Sequence, residues 1–517
     1  MSKNRTPRLF SSVINMVASG TLPLPSAVFT VYTGQGRRSM SLEQLSDMAW
    51  QTAAFLRSLG IQEGQRIGVS AKNSLEWVLL DLAAIRIKAV IAGFEADRIP
   101  VTTKLLDDYG MAALFTDHPD AGRLGDPRIR LLGEILPSLG RFEASQGMPG
   151  AVYQASEHTT IKFTSGSTGA PKGLAATVGS IDSSLSAVQE LFAHHEADKL
   201  FVFLPLSLLQ QRYWIYSALT FGHDVVVSTM ERAFAALAAE EPTVLMGVPG
   251  FYETLRQGIL EEAASLDANG ENPSTLPEAA QRLLGRNVRY LWTGSAPASP
   301  SVLDFFESCG IPLLEGYGMN EVCIATKNTL TQQKKGSVGR PLPGKSVSID
   351  ADGVIVVSSD HPVNTAYMFC APGDSEKMFR PDGSVVTGDL GHIDEDGFLF
   401  VHGRADDVVS LQNGRNVMVR PVEERLRSCP AISDCIVYAS SNGGLGAVIC
   451  VAEGDDNRGA IGRYLSEHNA KSADYEHIDE HHLVDERFSV DNGLLTSQFK
   501  PRRRAILQKY LPQPTNQ

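Results

Sequence analysis

The sequence predicts an α/β protein, and three observations carry that prediction. From about residue 41 to about residue 294, short apolar runs alternate with segments of helical period. Beyond about residue 335 the texture turns to brief, alternating segments punctuated by glycine, and the last hundred or so residues mix both patterns. Strand–helix alternation implies helices layered over a mainly parallel sheet, whereas short alternating runs between glycines imply hairpins. The expectation is a layered α/β body, a small β unit packed on it and an α+β module at the end. With 517 residues, the usual domain size gives about three compact units.

The elements follow in order. Residues 41–60 carry apolar side chains at helical spacing and stop at Gly60, and 64–73 read as a short buried strand. Residues 74–90 form a second helical pattern, with Leu75, Leu79, Leu82 and Ile85 near one stripe. Strands are expected at 112–117, 159–164, 200–205, 223–229 and 287–294. The acidic stretch 261–278, which contains Asn, Ser and Pro, is expected to be a surface excursion. Hairpin segments follow at 336–350, 353–359 and 397–403, then a helix at 420–429 and strands at 434–440 and 445–453. No internal repeat is visible.

Composition narrows the function. Hydrophobic residues make up 43% and charged residues 20%, enough apolar material for a large core. The 46 Lys and Arg against 59 Asp and Glu leave a net charge of −13, a poor balance for gripping a nucleic-acid backbone. An anionic ligand would have to sit in a local positive pocket. The six cysteines contain no CxxC pair, which argues against zinc and against a disulfide scaffold and suits buried thiols in a reducing cytoplasm. The most apolar window, Trp77 to Phe94, is broken by Asp81, Arg86 and Lys88, so no membrane span is expected, and the N-terminal residues lack the pattern of a signal peptide.

The most informative segment runs from Phe163 through Thr164, Ser165, Gly166, Ser167, Thr168, Gly169, Ala170 and Pro171 to Lys172 and Gly173. Glycines let successive N–H groups converge on an anion, hydroxyls add donors and the lysine adds charge, a combination that suits a triphosphate. The spacing does not fit GxxxxGK[ST], because no Ser or Thr follows Lys172. A flexible Ser/Gly surface turn is the plainer reading of such a composition.

The order of these residues resembles the signature of the adenylate-forming superfamily: acyl-CoA synthetases, peptide-synthetase adenylation domains and luciferases. Four further motifs resemble the same family: Leu313-Leu314-Glu315-Gly316-Tyr317-Gly318-Met319-Asn320-Glu321, Thr387-Gly388-Asp389, Gly403-Arg404-Ala405-Asp406-Asp407, and Asn492 to Lys500. The long-chain acyl-CoA synthetase branch is favoured by Asn73 to Trp77, by Leu204 to Ser207 with Arg212, by Val248 to Glu253 and by Gly294-Ser295-Ala296-Pro297.

The resemblance implies a large N-terminal domain (1–405) of layered α/β subdomains with a small β-barrel-like unit, and a small mobile α+β C-terminal domain (406–517). It implies ATP, Mg²⁺ and coenzyme A as partners in a two-step reaction through an acyl-adenylate. Residues 164–169 with Lys172 would cradle the β- and γ-phosphates. Gly294, Ser295, Ala296, Glu315, Gly316, Gly318 and Asn320 would line the nucleotide site, and Glu321 would hold Mg²⁺. Tyr317 would stack on adenine, Asp389 would accept from the ribose hydroxyls and Arg404 would donate to ribose or phosphate. Asp406 would be the hinge, and Lys500 would reach the α-phosphate and the incoming carboxylate.

Each assignment has a plainer alternative in the sequence. Glu321 could be a solvated glutamate at a helix start, Tyr317 a half-buried core residue, and Asp389 and Asp406 turn formers. Arg502, Arg503 and Arg504 read as a solvated face, or as contacts for the phosphates of coenzyme A. Asn320, Leu208 and Ser497-Gln498 depart from the family pattern, at positions where Thr, His and Pro-Thr are usual. The functional expectation is an ATP-dependent ligase joining a fatty or other apolar acid to coenzyme A. Transfer to an acyl carrier protein is a second reading, and a nucleotide-binding partner protein without chemistry a third.

Overall fold

The computed structural model describes residues 12–511 apart from 35, 97–98, 143–149, 165–171, 269–275, 412–414, 441–442, 455 and 496–500. Two large sheets form the body. The nine-stranded sheet runs in the order Arg340–Pro341, Cys323–Lys327, Leu313–Met319, Tyr290–Thr293, Val244–Gly247, Lys199–Val202, Asp224–Val227, Val28–Thr33, Gly36–Ser41. Its centre is parallel, and antiparallel strands close both edges. The six-stranded sheet runs Ile129–Leu131, Met111–Thr116, Arg66–Ser70, Val90–Phe94, His158–Thr164, Lys172–Thr177, again parallel until the last strand turns back. A four-stranded antiparallel sheet, Lys345–Ile349, Val354–Ser359, Val385–Ile393 and Leu399–Arg404, is the expected small β unit. The last part holds a three-stranded sheet (Ile432–Ala439, Leu445–Val451, Ile478–Val484) with the helices Val419–Arg427, Asn457–Lys471 and Arg503–Tyr510. Its two apolar cores draw only on residues from Val409 onward.

Local chemistry sets the helix ends. The helix Leu42–Ser58 begins at a capping box in which the Ser41 hydroxyl accepts from the Gln44 N–H and the Gln44 side chain accepts from the Ser41 N–H. Ser74 caps Leu75–Arg86 through the N–H of Trp77. The second helix is shorter than its apolar pattern. It ends at Arg86, Lys88 adopts φ 56°, and Val90 already starts a strand.

Of the stretch 261–278, residues 269–275 lie outside the described residues, and 261–268 are no surface excursion. They complete the helix Pro249–Ala268, with Ala263 and Leu266 buried, and the next helix starts at Leu276. One buried polar network joins the helices Leu75–Arg86 and Leu209–Phe221 to the strand His158–Thr164. Arg212, 1% exposed, donates to Asp81 Oδ1 at 2.7 Å and to Thr160 at 2.8 Å, while the Tyr216 hydroxyl donates to Asp81 Oδ2 at 2.6 Å. Arg212 is thus a structural residue, held in the core between two helices and a strand.

No helix among the described residues is long and apolar enough to cross a membrane. The six cysteines are free thiols, five of them buried.

Three sheets meet at one apolar core. Leu174 comes from the six-stranded sheet, Ala325 from the nine-stranded one with Val322 from the turn before it, and Ile355, Val357, Val385 and Leu399 from the four-stranded one. The motif residues gather on the rim of this junction.

Candidate functional site

The tight turn between Leu313–Met319 and Cys323–Lys327 places Glu321. A Cβ on Gly318 would stand 2.0 Å from the Cys323 carbonyl oxygen, so only glycine lets the two strands approach this closely. Cys323 takes up the reversal at φ 58°. Glu321 is 6% exposed and sits in a strand-to-strand turn, not at a solvated helix start. Its Oε1 accepts from the Tyr367 hydroxyl at 2.7 Å.

Tyr367 is the residue that motif reading missed. Its ring faces the Lys172 ammonium, with Nζ 5.2 Å from the centroid, and Lys172 pairs with Asp374 at 2.8 Å. The segment holding Tyr367 and Asp374 is fastened to the strand Lys172–Thr177 by reciprocal Gly173–Met368 backbone bonds of 2.8 and 2.7 Å. Burial, and then the Glu321 carboxylate, push the Tyr367 phenol well above its ordinary range, while the charge of Arg404 acts the other way. No spacing rule ties residue 321 to residue 367, and only the fold reveals their contact.

The second group lies beside the first. Asp389 and Arg404 are register partners on neighbouring strands, with Arg404 Nη1 3.5 Å from Asp389 Oδ1. The Tyr317 hydroxyl donates to Asp389 Oδ2 at 2.5 Å. Burial, then Asp389, hold the Tyr317 proton firmly in place. Tyr317 is half-buried against the junction core, as the plainer reading had it, and its hydroxyl engages Asp389. Asp389, 9% exposed, is more than a turn former.

Glu315 is buried beneath this rim, where its Oε1 accepts from the Ala298 N–H at 3.3 Å. Burial raises its pKa from 4.5 to about 7, against the opposing pull of that N–H and of Lys327. Gly294 lies beside Gly316, where an added Cβ would be 3.3 Å from the Gly316 oxygen, and Ser295 turns the chain at φ 68° next to Ala296. A Cβ on Gly316 would press on the buried Lys327 stem.

The structure thus brings Lys172, Gly294, Glu315, Gly316, Tyr317, Asn320, Glu321, Asp389 and Arg404 around one junction. Ser165, Gly166, Ser167, Thr168, Gly169 and Lys500 lie outside the described residues, as do the side chains of Thr164 and Asp406. Arg503 is not part of a solvated face. It donates to the Val437 carbonyl at 2.6 Å and to Glu423 at 2.7 Å, while Arg502 and Arg504 are exposed.

Among the described residues no cluster of three or more His, Cys, Asp or Glu could hold a metal by itself. Glu321 offers a buried hard-oxygen ligand that, among the described residues, makes no ion pair. That donor fits Mg²⁺ shared with phosphate oxygens, the usual arrangement for this ion.

Residues 23–361 match the family model of AMP-binding enzymes. The chain belongs to the AMP-binding enzyme family. Among its relatives, long-chain-fatty-acid–CoA ligase FadD15 of Mycobacterium tuberculosis is 26% identical, with 89% of this chain and 88% of that protein aligned. The 2-succinylbenzoate–CoA ligase of Bacillus subtilis is 24% identical over 93% of this chain and 96% of its own length. ATP-bound MatB from Rhodopseudomonas palustris shares the fold with a TM-score of 0.79, at 22% identity and with 96% of this chain and 99% of that one covered. The anthranilate–CoA ligase AuaEII in complex with anthranoyl-AMP also has a TM-score of 0.79, at 18% identity and 99% coverage of both chains. The match to the AMP-binding family stops short of Asp389 and Arg404, but the full-length relatives and structures extend past them.

Proposed function

We propose that this enzyme is an ATP-dependent acid–thiol ligase. In the first step an oxygen of a carboxylate attacks the α-phosphorus of ATP, forming acyl-AMP and releasing pyrophosphate. In the second, the thiolate of coenzyme A attacks the acyl carbon, forming the thioester and releasing AMP. The observation that carries the reading is the convergence of Lys172, Tyr367 and Glu321 with Tyr317, Asp389 and Arg404 at the junction of three sheets. The CoA-ligase names of its relatives support it.

In this reading Asp389 takes both ribose hydroxyls, since an ionised carboxylate can accept several hydrogen bonds at once. Tyr317 presents its ring to adenine while its hydroxyl orients Asp389. Lys172 and residues 164–169 hold the β- and γ-phosphates, with Arg404 near the ribose. Gly294, Ser295, Ala296, Glu315, Gly316 and Gly318 shape the floor under the nucleotide, with Asn320 beside it. Glu321 would hold Mg²⁺, which supplies positive charge to the phosphate oxygens. Lys500, carried on the domain 406–517 that pivots at Asp406, brings a cation to the two reacting anions. Positioning and charge neutralisation dominate such a step. Fatty and other apolar acids are the proposed substrates.

The experiment is incubation with ATP, Mg²⁺, coenzyme A and a panel of fatty, aromatic and dicarboxylic acids, following pyrophosphate and thioester. Acid-dependent release of pyrophosphate with thioester formation is the expected result. A broad panel that yields neither refutes the proposal, and activity confined to dicarboxylic acids refutes its apolar part.

A further inference from the structure

The turn that presents Glu321 is gripped at three consecutive carbonyl oxygens, each by a side chain from a different part of the chain. Lys162, on the strand His158–Thr164, donates its ammonium to the Asn320 oxygen. Asn364 donates its amide to the Glu321 oxygen at 3.0 Å and reaches the Asn320 oxygen at 3.3 Å. Lys345, opening the strand Lys345–Ile349, donates its ammonium to the Val322 oxygen at 2.5 Å. Lys162 is 4% exposed and Asn364 3%. Among the described residues, neither lysine has a carboxylate within 4 Å.

Burying an ammonium group with no carboxylate paired to it is costly even after the surroundings relax. A carbonyl oxygen is only a partial substitute. An apolar side chain of similar length would fill the place of Lys162 without that penalty. Lys162 bears it, and the half-buried Lys345 meets the same three-residue turn, whose middle residue is the proposed metal ligand. Fixing three successive carbonyls fixes the intervening peptide planes and hence the direction of the Glu321 Cα–Cβ bond. The Tyr367 hydroxyl then holds the far end of the same side chain.

We propose that Lys162, Asn364 and Lys345 are positioning residues that set the Glu321 carboxylate for the metal ion accompanying the nucleotide. They act through the turn and do not touch the substrate. The inference rests on the reading of Glu321 given above, and it assigns a functional purpose to charges that stability alone does not call for.

The test uses the full-length protein with Mn²⁺ as a paramagnetic probe and α,β-methylene-ATP, whose reacting bridge is blocked. Lys345→Met, Asn364→Ala and Lys162→Met are each expected to weaken Mn²⁺ binding to the nucleotide complex by about tenfold or more, the usual loss on removing a group that orients a metal ligand. Nucleotide binding in EDTA should stay within about twofold of wild type by the same reasoning. Lys345→Gln, which keeps a donor, should restore most of the Mn²⁺ affinity.

Variants that melt lower yet bind Mn²⁺ as tightly as wild type overturn the proposal and leave a packing role. If Lys162→Met does not fold, Lys345→Met and Asn364→Ala must still show the loss, or the proposal fails. A wild-type protein that binds the nucleotide without any dependence on metal overturns the reading of Glu321 itself, and this inference with it. Tight wild-type Mn²⁺ binding that the variants leave unchanged overturns the inference alone.

Discussion

Replacing Glu315 by glutamine should make the protein more stable at alkaline pH and leave it little changed at mildly acidic pH. Burial raises the carboxyl from 4.5 to about 7, so the folded state holds a proton that the unfolded chain has released. Between those two values the folded state binds more protons than the unfolded one. Stability therefore falls as pH rises through this window and levels off above the higher value. Glutamine mimics the protonated carboxyl and can still accept from the Ala298 N–H, but it never has to ionise in the core.

The linkage relation gives wild type a deficit of roughly 0.8 kcal/mol at pH 5 and roughly 3 kcal/mol at pH 8 relative to an unionisable group. The pH-dependent part is about 2.5 kcal/mol. With an unfolding entropy of about 2 cal/mol/K per residue, a chain of this length converts that to a shift of roughly 2 °C. Thermal unfolding of wild type and Glu315→Gln across pH 5 to 8 should show the two melting temperatures separating as pH rises, with the variant higher. Parallel curves, or a variant that gains on acidification, would refute the argument that Glu315 is forced to ionise in an apolar setting.

Arg212→Met should destabilise the protein by about 3–5 kcal/mol, because it strands the buried Asp81 carboxylate. The double variant Arg212→Met/Asp81→Leu should recover much of the lost melting temperature, and a double variant no better than the single one would contradict this. Tyr317→Phe removes a hydrogen bond to a charged group, worth about 1.5–3 kcal/mol, and keeps the ring. Its loss of melting temperature should shrink when AMP is saturating, since ribose hydroxyls replace the missing phenol; an identical loss with and without AMP speaks against Asp389 as the ribose acceptor. Lys500→Ala should slow acyl-adenylate formation by at least the ~2.7–4 kcal/mol typical of one preorganised donor, and it should spare thioester formation from supplied acyl-adenylate. Equal losses in both half-reactions would contradict a lysine that serves only the first.

The features legible in the sequence are those whose determinants lie close together along the chain. The motifs at 163–173, 313–321, 387–389 and 403–407 are each a run of consecutive residues. Tyr367 with Glu321 spans 46 positions, and Lys162 with Asn320 spans 158, so no local pattern announces them. Composition also misleads in identifiable ways. The acidic stretch after residue 261 reads as an excursion, yet Ala263 and Leu266, three apart, bury one helical face. The arginine run at 502–504 reads as one solvated face, yet its middle member turns inward to Glu423 and Val437. In the apolar run to Val90, hydrophobicity continues across the helix-to-strand boundary and masks it, and the left-handed Lys88 marks the break.

An acidic chain was expected to meet an anionic ligand through a local positive pocket, and the junction shows a subtler arrangement. Lys172 already faces Asp374, and Arg404 already faces Asp389. These two cations are thus matched by carboxylates, which spares the protein the cost of unpaired charge at a half-buried site. If Lys172 takes phosphate as proposed, that binding is an exchange of partners in which Asp374 gives way. Tyr367 links that exchange to Glu321, because one ring meets the Lys172 ammonium with its face and the Glu321 carboxylate with its hydroxyl. Under the proposed reading, a shift of Lys172 toward phosphate would act on the same side chain that holds Glu321, and so would couple the two through a single aromatic ring.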